Sequence, residues 1–312
     1  MKKEGEFLLA LVGQPNCGKS TVFNALTGAH QRVANWPGVT VDRMSGWFKT
    51  GGHRLEIVDL PGTYTLASLS LEERITGSFL IHETPSLVLN IVDASALGQG
   101  LVLTLQLREM GIPLVVNLNM MDIARKRGLE IDVAALERLL GVPVVATSMK
   151  KGHSKKALLR AISAQLDSPV KVEPLSLDYG RMEPFLRDME RRLSSGATAD
   201  GAHPLRWTAA KLMEGDDGAE ELIRKNRSDA DHVIGSARDN RKAFEEQSKE
   251  APEVHIARSR HGIANAMAAS CITRPAPPVR PDRRGRLQPF CGTGHAYRGD
   301  VPALLPFNRP GL

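Results

Sequence analysis

Near the start of the 312-residue chain, the stretch Gly13-Gln14-Pro15-Asn16-Cys17-Gly18-Lys19-Ser20 sets four residues between two glycines and ends in Lys-Ser. It follows an apolar run at residues 7–12 and precedes a segment, 20–27, that reads as a helix. A glycine-rich turn between strand and helix aims backbone N–H groups at an anion, at the positive end of the helix dipole. Gly13 and Gly18 permit backbone geometry that a Cβ would obstruct. Lys19 can reach the β and γ phosphates of a nucleotide, and the Ser20 hydroxyl can ligate Mg²⁺. The loop predicts phosphate binding, with Gly13, Gln14, Asn16, Cys17, Gly18, Lys19, Ser20 and Thr21 as the contacting residues.

Three further motifs fall at strand ends and narrow the ligand. Asp59-Leu60-Pro61-Gly62 closes the run at residues 55–58. Its carboxylate can hold Mg²⁺ through a water, and the Gly62 N–H can sense a γ-phosphate. Asn119-Met120-Met121-Asp122 follows the run at 114–118. A carboxylate at Asp122 can accept both N–H donors of guanine's Watson–Crick edge, which adenine does not offer. Met120 stands where GTP-binding proteins usually carry Lys. Ser148, after the run at 142–146, could meet the base through its backbone. The order of the four motifs predicts GTP.

The elements that must position them alternate. Apolar runs at 7–12, 55–58, 87–92, 114–118 and 142–146 read as strands covered on both faces, and 20–27, 100–110, 133–140 and 155–166 as helices. This spacing predicts a doubly wound, mostly parallel α/β sheet. One antiparallel hairpin is expected, 44–49 with 53–59 around Thr-Gly-Gly, and Ser70-x-x-Glu73 signals a capped helix running toward Ile81. From Pro174 the pattern is helical; Met182, Phe185, Leu186, Met189 and Leu193 share one face. The predicted domains are 1–167, 168–272 and a tail at 273–312 without periodicity, expected to be disordered.

The net charge of +6 is concentrated in that tail, where seven Arg face two Asp within forty residues that also hold eight of the nineteen prolines. The nearly neutral remainder argues against a nucleic-acid surface. Three cysteines, Cys17, Cys271 and Cys291, fit no disulfide or zinc spacing and suggest a reducing compartment. No run approaches the length of a membrane span, and the start shows no secretory signal, so a soluble cytoplasmic chain is expected. Nine His lack ligand spacing. Cys17, at a helix N-terminus, is placed where a thiol pKa tends to fall.

The phosphate loop, followed by Val33-Ala-Asn-Trp-Pro-Gly-Val-Thr-Val-Asp-Arg43, Val58-Asp-Leu-Pro-Gly-Thr-Tyr-Thr-Leu66 and Leu118-Asn-Met-Met-Asp-Ile-Ala124, resembles the ferrous-iron transport protein B family over residues 6–272. Arg206-Trp-Thr-Ala-Ala-Lys-Leu-Met-Glu-Gly-Asp216 resembles its helical domain. The resemblance implies a Ras-like P-loop GTPase domain followed by a small all-α domain that favours the GDP state. Together they would be the cytoplasmic part of a membrane protein taking up Fe²⁺ at the bacterial inner membrane. It implies that Thr40 joins Mg²⁺, alongside Ser20 and Asp59, and the γ-phosphate when GTP is bound, and that Asn16 matches the asparagine linked to K⁺ in potassium-activated GTPases. Implied partners are GTP and GDP, a membrane domain of the same protein, small cytosolic proteins and further copies of the chain.

Thr63 occupies the place where many GTPases orient water with Gln, and neither Arg43 nor Arg74 reads as an arginine finger; both are expected to be solvated. Slow, K⁺-stimulated hydrolysis is the expectation, with Asn16, Lys19, Thr40 and Gly62 carrying it. A ribosome- or RNA-associated GTPase and a nucleotide-binding regulator with little turnover are the alternatives. The Pro-, Arg- and Gly-rich text after Thr273 does not continue the resemblance and is expected to be a frameshifted or truncated product, against a functional basic tail or a soluble paralogue.

Overall fold

The apolar runs become the centre of one seven-stranded sheet. The computed structural model describes residues 6–28, 30–68, 70–148, 154–168, 172–195 and 203–273. The expected tail and most of the basic run at 149–156 lie outside these residues. β1 (Glu6–Gly13), β4 (His53–Asp59), β5 (Leu87–Asp93), β6 (Leu114–Asn119) and β8 (Val144–Ala146) run parallel to one another, with β1 between β4 and β5. The whole sheet has the order β2-β3-β4-β1-β5-β6-β8, where β2 is Gln31–Asn35 and β3 is Asp42–Thr50.

Period-two alternation divides β1 between two apolar layers. Leu9 and Leu11 pack with Val22 and Phe23 of α1 (Lys19–Thr27) and with Leu158 and Ile162 of α6 (Ser154–Asp167). Ala10 and Val12 face the opposite layer, built from α2 (Leu71–His82), α3 (Leu97–Glu109) and α5 (Val133–Leu140). Ser70 caps α2 as the sequence indicates: its hydroxyl accepts from the Glu73 N–H at 3.1 Å, and Glu73 accepts from the Ser70 N–H at 3.3 Å. β3 and β4 form the expected hairpin through Gly51 and Gly52, whose φ values of 55° and 83° suit a two-residue turn.

Two strand additions had no signal. β2 pairs antiparallel on the outside of β3, and all five of its residues are exposed, so no alternation marks it. β7 (Glu130–Ile131) pairs with β9 (Ile272–Thr273), bringing the end of the helical segment back to the sheet domain.

The helical part comprises α7 (Glu183–Ser194), α8 (Leu205–Glu214), α9 (Asp217–Asn226), α10 (Ala230–Ser248) and α11 (Pro252–Cys271). Met182, Leu186, Met189 and Leu193 are all buried, as their spacing predicts. α11 lies along α3, so α3 is covered on both sides and is buried from Gly100 to Glu109. Where a Cβ on Gly98 would stand, Asn265 Oδ1 is 2.4 Å away, which shows how closely the two helices approach.

That contact buries charge. Arg260 on α11 is 3% exposed; its Nε donates to Glu109 at 2.9 Å, and its Nη1 donates to Glu214. The Tyr179 hydroxyl donates to the other Glu109 oxygen at 2.5 Å. Burial works against the Arg260 charge, yet Glu109 and Glu214 outweigh it and hold the guanidinium well above its usual pKa. Removing one partner of such a group strands the other in low dielectric. Arg260→Ala is therefore expected to cost about 3–5 kcal/mol, read as a lower urea midpoint at unchanged slope. A loss below about 1 kcal/mol would mean that the cluster contributes little.

Candidate nucleotide-binding site

The four motifs converge at the carboxyl ends of β1, β4, β6 and β8, the edge where open α/β sheets bind ligands. β1 ends in Gly13, where an added Cβ would sit 2.7 Å from the Ile91 carbonyl. Asn16 adopts a left-handed φ of 64°, which Asn tolerates, and its side chain is exposed. Gly18, at φ 90°, precedes α1; a Cβ there would meet Asn119 Nδ2 at 2.3 Å. The glycines are thus demanded by neighbouring chain as well as by the loop's own curvature.

Each wall of the loop is tied down. Gln14, 7% exposed, turns its side chain away to donate to the Gln99 carbonyl at 2.7 Å, and its own carbonyl accepts from the Cys17 N–H at 3.4 Å. The Thr63 N–H donates to Gly13 O at 3.2 Å, and Gly62 lies against Pro15. Lys19 Nζ meets Asp59 Oδ1 at 2.7 Å, with side chains 13% and 9% exposed. Burial pushes the Asp59 carboxyl above its ordinary pKa, and Lys19 pulls against that. Ser20 and Thr21 are exposed at the mouth. Oxygen donors of this kind, a hydroxyl and a strand-end carboxylate, suit Mg²⁺.

At the other end, Asn119 braces three segments. Its Nδ2 donates to the Cys17 carbonyl at 3.0 Å, while its Oδ1 accepts from the Thr147 hydroxyl at 3.2 Å. The same hydroxyl reaches Asn117 Oδ1 at 2.6 Å. Thr147 was not singled out by sequence; the only clue was a buried-strand end carrying a hydroxyl beside Ser148. Met120 takes φ 59° and starts α4 (Met121–Lys126), a short helix with no periodic signal. The Ser148 hydroxyl accepts from the Asp122 N–H at 3.1 Å, while the Ser148 N–H donates to Ser154. The Asp122 carboxylate makes no hydrogen bond or ion pair among the described residues, so its oxygens are free for a base.

The structure adds detail at Thr40 and Thr63 and changes the reading of Arg43. Thr40 is exposed, and no contact joins it to Ser20 or Asp59 among the described residues. Arg43 is not simply solvated: its guanidinium lies 5.1 Å from the Trp36 ring centre and 6.0 Å from that of Phe79, whereas Arg74 is exposed as expected. Thr63, 2% exposed, spends its hydroxyl on the Thr65 carbonyl at 2.6 Å and so cannot replace a water-orienting Gln.

Comparison with known proteins agrees with this geometry. Residues 7–162 match the family described as Ferrous iron transport protein B, and residues 179–273 match the FeoB cytosolic helical domain. The chain is 41% identical over 211 residues, 67% of its length, to a Porphyromonas gingivalis Fe(2+) transport protein A/Fe(2+) transporter FeoB fusion protein. It is 38% identical over 267 residues, 84% of its length, to the Fe(2+) transporter FeoB of Salmonella typhimurium. It spans only 25% and 32% of those two proteins. Among solved structures, the cytosolic domain of L. pneumophila FeoB superposes with a TM-score of 0.72 at 35% identity, covering 85% of this chain and 99% of that one. A GDP-bound mutant of the S. thermophilus FeoB G-domain gives 0.74 at 33%, covering 86% and 100%.

The Cys17 thiol reverses its expectation. Burial raises its pKa to about 11, outweighing the Lys19 N–H and charge that pull it down. At neutral pH its thiolate fraction should be about a hundredfold below that of an ordinary cysteine. Peptide-resolved alkylation of the native chain should find Cys17 correspondingly slow and accelerated on unfolding; labelling at the rate of a free thiol would contradict the burial argument.

Proposed function

The chain belongs to the ferrous iron transport protein B family, and we propose that it binds GTP and GDP with Mg²⁺ and hydrolyses GTP slowly, as the G-domain module that controls Fe²⁺ passage in a transporter. The observation that carries the reading is Lys19 against Asp59 at 2.7 Å, beneath a phosphate loop that Asn119 ties to the base end. In this reading residues 1–167 form the GTPase domain, and residues 168–272 a helical domain that favours the GDP state.

Phosphates enter where the backbone of residues 13–21 converges, and Lys19 exchanges Asp59 for their β and γ oxygens. Asp59 and Ser20, and Thr40 if its loop moves, would be the residues that hold Mg²⁺. When bound, Mg²⁺ would neutralise negative charge on the phosphates. Asp122 accepts the two N–H donors of guanine, Asn119 holds the loop against the base, and Met120 and Ser148 border it. The Gly62 N–H meets the γ-phosphate. No side chain at Thr63 is free to orient the attacking water, so backbone groups of the two loops hold it. The exposed Asn16 side chain would hold a K⁺, which would supply positive charge to the transition state. Iron passage belongs to parts of the relatives that these residues do not span, so partners of the module are a membrane domain at the cytoplasmic face of the inner membrane, small cytosolic proteins and other copies.

Purified protein assayed with Mg²⁺ should hydrolyse GTP but not ATP, faster in KCl than in NaCl. Asn16→Ala should erase the difference between the salts while retaining GDP. Lys19→Met should lower turnover about 100-fold or more. ATP turnover equal to that of GTP would overturn the assignment of the base; equal GTP rates in the two salts would remove K⁺ alone.

A further inference from the structure

Trp36 is buried to 7% exposure in a segment whose neighbours Asn35, Pro37, Gly38 and Thr40 are all exposed. Its ring meets Phe79 of α2 edge-on, with centres 5.6 Å apart and planes at 86°. Arg43, on β3, lays its guanidinium over both rings. Trp36, with the partly buried Val39 and Val41 beside it, thus fastens the loop that carries Thr40 to the apolar layer containing α2, the helix that follows the Asp59–Gly62 motif.

Trp36 also closes the loop through its own backbone. Its N–H donates to the Val41 carbonyl at 2.9 Å, and its carbonyl accepts from the Val39 N–H at 3.2 Å. Thr40 lies inside that closure and points to solvent. Turning Thr40 toward Ser20 and Asp59 requires the closure to be redrawn, and both of its bonds use Trp36 atoms. The side chain is held less firmly than its burial suggests. The indole N–H is buried without an acceptor, an uncompensated loss of hydration. A cleft of about 330 Å³, lined by Trp36, Pro37, Arg43, Arg74 and Phe79, lies against it and offers room to move. Gly38, at φ 75°, gives the loop a point of rotation.

We propose that Trp36 is a clasp: it holds residues 36–41 against α2 when the site carries GDP, and leaves its seat on Phe79 when a γ-phosphate draws Thr40 inward. The apolar contact and the stacked guanidinium hold the clasp closed. The orphaned indole N–H and the adjoining cleft keep the difference between seated and released small enough for a phosphate contact to reverse. This inference rests on the guanine-nucleotide reading above.

The chain has three tryptophans, so intrinsic fluorescence is compared between the native sequence and Trp36→Phe. Occupancy is established on the same samples by displacement of a fluorescent GDP analogue. The expected result is a red-shifted, more readily quenched emission with Mg²⁺–GMPPNP but not with Mg²⁺–GDP, and loss of that difference in Trp36→Phe. Trp36→Ala should raise the affinity for GMPPNP relative to GDP by about fivefold or more, the lower end of typical coupling between sites. Bound GMPPNP with GDP-like emission overturns the clasp, and so does a nucleotide-dependent change that survives in Trp36→Phe. Failure of any guanine nucleotide to displace the analogue overturns the guanine-nucleotide reading itself, and the clasp with it.

Discussion

Lys19 and Asp59 meet where the first strand's loop and the end of β4 come together, and the geometry of the site depends on that contact. Each would be an expensive solitary charge at this depth, since taking an ion out of water costs several kcal/mol even after relaxation. Together they satisfy one another, though burial still biases Asp59 toward its neutral form. A pair in this condition is stable enough to hold β1's loop beside β4. It is also readily exchanged for partners that satisfy both charges better. A polyanion with Mg²⁺ would be such a partner, bringing negative charge for the lysine and positive charge for the carboxylate.

The segment after Asp59 carries this local exchange to the helical part through polar contacts. Leu66 donates its N–H to Gln106 of α3 at 2.9 Å, and its carbonyl accepts from Lys211 of α8. Lys211 is 3% exposed and also reaches Asp216 at 3.0 Å and Glu214 at 3.2 Å. Asp216 in turn accepts from the Ser68 hydroxyl at 2.8 Å, where Ser68 sits at φ 60°. A buried ammonium needs its full set of acceptors, and here one of them is a loop carbonyl. Displacing residues 66–68 would therefore be felt at once by the charges of α8, and through Glu214 by Arg260 on α11.

What could be read from sequence follows from how local each signal is. Residues 7–12, 87–92 and 114–118 announce strands because burial on both faces leaves nothing but apolar side chains. The phosphate loop is legible because glycine at positions 13 and 18 answers to a geometric demand that no other residue meets. β2 was silent because an exposed edge strand has no face to encode. α11 was harder: its buried positions Ile256, Arg260, Ala264, Met267 and Cys271 are interrupted by a charge, and only the distant Glu109 and Glu214 make that charge admissible. The Cys17 pKa was misjudged for a related reason. The helix terminus is visible in sequence, whereas the Gly13, Ile91 and Asn119 atoms that enclose the loop are not.

The two phosphate-facing segments are held by different kinds of force, and this difference matters more than the contacts taken singly. Residues 36–41 are kept in place by Trp36 on Phe79, a stacked guanidinium and the partly buried Val39 and Val41, and among the described residues no hydrogen bond joins them to α2. Residues 63–68 are kept in place by directional bonds to Gly13, Gln106, Lys211 and Asp216. Apolar contact falls off gradually as surfaces separate and tolerates sliding, whereas buried polar bonds fail abruptly and leave costly orphans. The first segment can thus sample displaced positions at small cost while the second remains locked until its acceptors are replaced. A ligand that engages Gly62 must overcome the stiffer restraint. The stiff restraint is the one wired to the helical part, so the fold places its long-range coupling on the segment that moves least readily.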